Sequence, residues 1–287
     1  MNGTIVKGIG GFYYVKTADG EIYECRARGV FRKENVKPYI GDVVEISVEN
    51  GKGAVEKIMP RKNCLIRPPV ANIDLLVIVT AVASPEPNMM LIDKLLINCE
   101  INGIKPIICI NKTDVKSDET IREIYKETGY PIVSVCASEE RGFDELIPYI
   151  KGKTSALAGL SGVGKSTILN LLTDTIQETG SVSDKIQRGR HTTRHVELLD
   201  LKCGGYVLDT PGFSSFEVCD IKAGDLCRYF PEMAEVGDNC RFKGCSHINE
   251  PDCAVKELLS EGKLHSSRYE SYTEIYNQLK LIKEWEK

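Results

Sequence analysis

Residues 159–166 read Gly-Leu-Ser-Gly-Val-Gly-Lys-Ser, which fits G-x-x-x-x-G-K-[ST] and sits between a short apolar run, 156–158, and a helical stretch over 164–173. Such a loop works where a strand ends and a helix begins, because backbone N–H groups converge there and the helix dipole favours an anion. It commits this part of the chain to an α/β sheet. Further apolar runs at 74–83, 106–110, 131–135 and 206–208 alternate with helical stretches such as 89–102 and 118–128. Fully apolar strands alternating with helices predict a parallel sheet covered on both faces. In the loop itself, Gly159, Leu160, Ser161, Gly162, Val163 and Gly164 would wrap phosphates. Lys165 would reach the β- and γ-phosphates, Ser166 would offer its hydroxyl to Mg²⁺, and Thr167 follows in the first helical turn.

Two more pieces share this placement. The run 106–110 passes into Asn111-Lys112-Thr113-Asp114, the N-K-x-D of guanine-nucleotide sites. A carboxylate at Asp114 can accept from both guanine N1–H and the exocyclic N2 amine, donors that adenine lacks on that edge. Asn111 would orient the loop and meet the opposite edge of the base, with the Lys112 stem over its plane. The run 206–208 ends in Asp209-Thr210-Pro211-Gly212. There Asp209 would hold Mg²⁺ through water and the Gly212 amide would sense a γ-phosphate. Before it lies Arg190-His191-Thr192-Thr193-Arg194-His195, where Thr192 or Thr193 would complete the Mg²⁺ shell. The three pieces together predict GTP/GDP binding.

The flanks differ. Residues 1–63 hold short alternating stretches (11–15, 21–25 and 42–48) separated by Gly, Asn and Asp turns, which predict a small antiparallel, OB-like β-barrel, or a β-module that only packs on its neighbour. Eleven Lys and Arg against eight Asp and Glu give this segment a charge of +3, beside −4 for the whole chain. Any nucleic-acid surface must therefore be local. Candidates are the barrel, Arg61 and Lys62 with Arg67, Arg188, Arg190 and Arg194, and Arg241 with Lys243. Residues 217–287 read as helical and polar, closing on an amphipathic helix with Tyr269, Tyr272, Ile275, Tyr276, Leu279 and Ile282 at spacings of three and four. Within them Cys240, Cys245, His247 and Cys253 make a complete tetrahedral Zn²⁺ set of the closed, structural kind, or else a local thiol cluster. The other eight cysteines are scattered and read as free thiols. With no secretory pattern in residues 1–11 and no apolar run near the roughly 18–20 residues of a membrane span, a reducing cytoplasm and no membrane are expected.

The order of the motifs is decisive. In small GTPases the phosphate loop precedes N-K-x-D; here N-K-T-D at 111 comes first, the loop at 159 second and D-T-P-G at 209 last. The nucleotide domain is circularly permuted. This order, with the barrel before it, the R-G-R-H-T-T segment and the Cys/His cluster behind, resembles the ribosome small-subunit-dependent GTPase A (RsgA) family over essentially the whole chain. The resemblance implies an OB-fold RNA-binding domain at 1–63, a circularly permuted GTPase domain at 64–216 and a zinc-binding helical domain at 217–287. It also implies a monomer that binds the small ribosomal subunit and its rRNA in the GTP state, assists late maturation, and leaves on hydrolysis. One structural zinc per chain is implied, as is a catalytic role for His191, which could instead contact RNA or cap its loop. The family's S-A-K stands here as Cys136-Ala137-Ser138. The Ala137 amide would still meet guanine O6, and Cys136 and Ser138 make poor candidates for side-chain roles. Phe213 stands where many GTPases place a water-orienting glutamine, which implies slow intrinsic hydrolysis. Two rival classes are a GTP-dependent RNA-binding module with incidental hydrolysis and a metabolic P-loop phosphotransferase, which N-K-T-D argues against.

Overall fold

The structure, a computed structural model, describes residues 1–29, 31, 36–49, 51–65, 68–174, 196–209, 218 and 221–281. His191, Thr192, Thr193, Gly212, Phe213, Arg67 and the arginines at 188, 190 and 194 lie outside the described residues.

The first five strands are β1 (Asn2–Ile9), β2 (Phe12–Thr17), β3 (Ile22–Ala27), β4 (Val43–Glu49) and β5 (Lys52–Ile58). Their order is β1-β2-β3-β5-β4, closed by β1–β4 pairing, and β3–β5 is parallel while the other pairs are antiparallel. This is the five-stranded OB barrel. Period-two alternation turns Val15, Cys25, Val44, Ile46 and Val55 inward, all buried, and leaves the intervening residues outside. Arg61 leaves the barrel in a bidentate pair with buried Asp42, its Nε and Nη2 donating at 2.7 and 2.8 Å. Its guanidinium lies over the Tyr39 ring at 4.5 Å.

After the short pair β6 (Cys64–Leu65) and β7 (Val70–Ala71) come β8 (Leu75–Ala81), β9 (Lys105–Asn111), β10 (Ile132–Ser134), β11 (Lys153–Ala158), β12 (Glu197–Asp200) and β13 (Gly205–Asp209). Between them run the helices α1 (Met89–Asn102), α2 (Glu119–Tyr125), α3 (Phe143–Ile150) and α4 (Lys165–Leu172). The sheet order is β10-β9-β8-β11-β13-β12, parallel except for the antiparallel β12–β13 hairpin. All seven residues of β8 are buried, because separate apolar clusters cover its two faces. Beyond the connecting segment, a second tie joins barrel to sheet. β1 also pairs with β12, Lys7 opposite Glu197, so the two form one eleven-stranded sheet.

The C-terminal region holds a 3₁₀ turn (Ala223–Tyr229), α5 (Pro231–Gly237), α6 (Ala254–Ser260) and α7 (Ser266–Leu281). Tyr272, Ile275 and Leu279 of α7 pack with Phe230 and Met233, and the same cluster takes in Ile97 of α1. Among the described residues, no helix is long and apolar enough to cross a membrane.

Candidate functional site

The phosphate loop, N-K-T-D and Asp209 all lie at the carboxyl ends of parallel strands, with the rest of D-T-P-G outside the described residues. β11 ends at Ala158 and the chain turns through Gly159–Gly164 into α4. Two glycines are dictated by contact as well as by torsion. Gly159 has φ 139° and a Cβ there would lie 2.0 Å from the Val79 carbonyl oxygen; Gly164 has φ 98° and its Cβ would meet the Asn111 amide nitrogen at 2.2 Å. The loop is thus laid directly on β8 and on N-K-T-D. Ser161, Gly162 and Ser166 are exposed, Leu160, Lys165 and Thr167 half-buried, and Val163 buried. Lys165 Nζ donates to the carbonyls of Gly159 and Leu160 at 2.9 and 2.6 Å. Burial lowers its pKa. Its ammonium therefore lies folded against the loop that a phosphate would enter.

Asn111, 2% exposed, binds three segments together. Its Nδ2 donates to the Val163 carbonyl at 2.8 Å, and its Oδ1 accepts the Ala137 amide at 3.0 Å. These bonds tie the three loops together, and both ends of the amide are engaged within the protein rather than directed to a base edge. The Ala137 N–H expected at guanine O6 is likewise given to Asn111. Lys112, with φ 63°, donates to the Ser84 carbonyl, and Thr113 Oγ1 donates to the Val135 carbonyl at 3.1 Å. Asp114 is exposed at the mouth, and the Cys136 thiol lies 3.2 Å from its Oδ1 and 3.2 Å from Ser138 Oγ. Cys136, a poor candidate for a side-chain role from the sequence, thus has a side-chain contact with N-K-T-D. Its place just before Ala137, facing N-K-T-D, was the available signal.

Asp209 ends β13, whose parallel partner β11 feeds the phosphate loop. Ser166 is the second residue of the helix that follows that loop. A hydroxyl and a carboxylate are hard oxygen donors of the kind Mg²⁺ takes.

In the C-terminal region Cys240, Cys245, His247 and Cys253 converge, their ligand atoms all within 4.8 Å of one another. Cys240 Sγ lies 3.8 Å from Cys253 Sγ, and His247 Nδ1 lies 3.5 and 3.4 Å from those sulfurs. A tetrahedral zinc would place its ligands about 3.8 Å apart between sulfurs and about 3.5 Å between sulfur and nitrogen. The cluster fits. Burial lowers the His247 pKa, which favours the neutral, ligating imidazole. The loop is held from outside: the Glu250 carboxylate accepts from Ser246 N and Oγ at 2.8 and 2.9 Å. Tyr269 and Tyr272 donate their hydroxyls to the His247 and Ser246 carbonyls. Burial acts to raise the Glu250 pKa, but the Ser246 donors and nearby backbone amides draw it down to about 2. Of the candidate RNA-facing cations, Arg61 is tied to Asp42, Lys62 to Asp74 at 2.8 Å and Arg241 to Asp252 at 2.6 Å.

Comparison with known proteins agrees with this arrangement. The RsgA N-terminal domain matches residues 2–55 and the RsgA GTPase domain residues 58–219. The small ribosomal subunit biogenesis GTPase RsgA of Caldanaerobacter subterraneus subsp. tengcongensis is 49% identical over 98% of this chain and 96% of its own. That of Ruminiclostridium cellulolyticum is 48% identical over 99% and 95%. Among solved structures, YjeQ from Thermotoga maritima superposes with a TM-score of 0.84 at 38% identity, covering 98% of this chain and 99% of that one. YloQ, a circularly permuted GTPase, does so at 0.81 and 37%, over 97% and 94%. The likeness runs from the barrel through the phosphate loop in the permuted order, and the chain belongs to the RsgA GTPase family.

Proposed function

We propose that this GTPase acts in small-subunit biogenesis: it binds the small ribosomal subunit through rRNA in its GTP state, assists late maturation, and leaves on subunit-stimulated hydrolysis. The names of the relatives support the setting. The observation that carries the nucleotide part is the Asn111 bridge joining phosphate loop, N-K-T-D and specificity loop, with Asp114 at the open mouth. In this reading the loop from Gly159 to Thr167 wraps the phosphates, and Lys165 exchanges its two carbonyl partners for phosphate oxygens. Asp114 accepts from guanine, oriented by the Cys136 thiol. Lys112 lies over the base, with Asn111, Thr113 and Ala137 holding the pocket. Ser166, Asp209 and one of Thr192 and Thr193 serve Mg²⁺, which supplies neutralisation of the β,γ-phosphate charge when bound. Gly212 senses the γ-phosphate and His191 directs the water. Zinc holds the C-terminal lobe through Cys240, Cys245, His247 and Cys253. The working unit is a cytoplasmic monomer divided at 1–63, 64–216 and 217–287.

The direct test is Asp114→Asn. It removes a charged acceptor for two donors, so GTP affinity should fall by roughly 1.5–3 kcal/mol or more, while xanthosine triphosphate should gain relative to GTP. Unchanged GTP affinity would remove Asp114 from the base pocket. Purified small subunits should then accelerate wild-type turnover many-fold, and His191→Ala should lose most of that stimulation while retaining GTP binding.

A further inference from the structure

One row of side chains crosses from the barrel to the end of the nucleotide sheet. Lys7 of β1 stands opposite Glu197 of β12, and Glu197 stands opposite Asp209 of β13. On the other side Tyr14 stands opposite Lys7, and Glu24 opposite Tyr14, with the Tyr14 hydroxyl donating to Glu24 at 3.0 Å. Directly opposed residues of antiparallel neighbours point to the same face, with Cβ atoms about 5 Å apart. Glu197 and Asp209 are therefore like-charged neighbours across the hairpin, and a cation beside either one eases their repulsion. Lys7 does this from the barrel: its Nζ lies 2.7 Å from Glu197 Oε2. The pair is half-buried, with side chains 31% and 33% exposed, so water does not fully screen it.

We propose that Lys7 and Glu197 are positioning residues that tune the charge at Asp209 and hence the Mg²⁺ affinity of the nucleotide site. The inference rests on the reading of Asp209 as a metal-facing residue. Lys7 offsets the negative potential that Glu197 adds beside Asp209. Without Lys7 that potential is more negative, and without the Glu197 charge the Lys7 ammonium makes it more positive. The two removals therefore act in opposite directions, whereas loss of barrel docking would move both the same way. A second pair across the same junction is the natural control: Lys16 and Asp200, 2.7 Å apart, lie at the far end of β12, where Asp200 stands opposite Tyr206 rather than Asp209.

The test is a Mg²⁺ titration of the release rate of a fluorescent GDP analogue from the full chain, which reads metal affinity without turnover. Lys7→Ala should lower the half-saturating Mg²⁺ roughly two- to fivefold and Glu197→Gln should raise it by a similar factor, the range of a partly exposed ion pair. Lys7→Arg should match the wild type, and Lys16→Ala should not shift. Shifts of the same sign in Lys7→Ala and Glu197→Gln, or an equal shift in Lys16→Ala, would overturn the tuning role in favour of docking. Asp209→Asn separates the two readings. If it raises the Mg²⁺ requirement while Lys7→Ala and Glu197→Gln do nothing, only the tuning is wrong. If it too does nothing, Asp209 does not face the metal.

Discussion

The nucleotide sheet is joined to a neighbour on each side, and the two junctions are built from different physics. Towards the barrel, β1 meets β12 at Lys7–Glu197, which is also an ion pair, and Lys16–Asp200 bridges the same junction; water and salt reach both pairs. Towards the C-terminal lobe, Arg268 of α7 is 1% exposed. It donates from Nη1 to Asp93 of α1 at 2.6 Å, and from Nε and Nη2 to Glu232 of α5 at 2.7 and 3.1 Å. The Tyr125 hydroxyl also donates to Asp93 at 2.9 Å, and Phe230 lies under the guanidinium at 4.4 Å. A buried network of this kind contributes little net stability against an apolar replacement, but removing one partner strands the others in a medium that cannot solvate them. The barrel junction is thus adjustable and the lobe junction all-or-none.

The contrast can be broken in three places. The largest effect should come from zinc, since apparent binding free energies in small zinc domains run to roughly 10–16 kcal/mol. Chelation, or His247→Ala, should abolish hydrogen-exchange protection across 240–253 while GTP affinity stays near wild type. Protection that survives chelation would show that Glu250, Tyr269 and Tyr272 hold the loop without metal. Next, Arg268→Ala should cost about 3–5 kcal/mol by denaturant unfolding, with little dependence on ionic strength, because Asp93 and Glu232 are left buried and unpaired. A loss below about 1 kcal/mol would mean that water enters and the junction is no different from the other. The smallest effect is at the barrel. Lys16→Ala should cost about 0.2–1 kcal/mol at low salt, and the difference should vanish near 1 M NaCl, where the Debye length is about 3 Å.

What the sequence disclosed follows the same division between local and distant causes. β8, β9 and the helices around them were legible because burial on both faces writes an unbroken apolar run. β2, β3 and β4 were legible from alternation. β1 and β5 were not singled out, since Asn2–Ile9 and Lys52–Ile58 are diluted by Gly and Lys and owe their place to partners far away in the chain. For that reason the pairing of β1 with β12 was invisible. In the site, the phosphate loop, N-K-T-D and the converging set of Cys240, Cys245, His247 and Cys253 announced themselves by spacing. The thiol of Cys136 on Asp114 did not, because which side chain faces a carboxylate 22 residues away is a property of the folded loops.

The β12–β13 hairpin also has a consequence for how the molecule is made. A chain is synthesised from its amino end, and its units fold as they emerge. The barrel can close first, then β8 acquires β9 and β10 on one side and β11 on the other, each arriving at an edge already present. The hairpin comes last of the strands and fills the gap between two finished pieces, β13 against β11 and β12 against β1. Until residue 209 has emerged, the N-K-T-D half and the phosphate loop lack their second tie to the barrel. The permuted order makes the strand pair beside the phosphate-loop strand the closing stitch of the whole sheet.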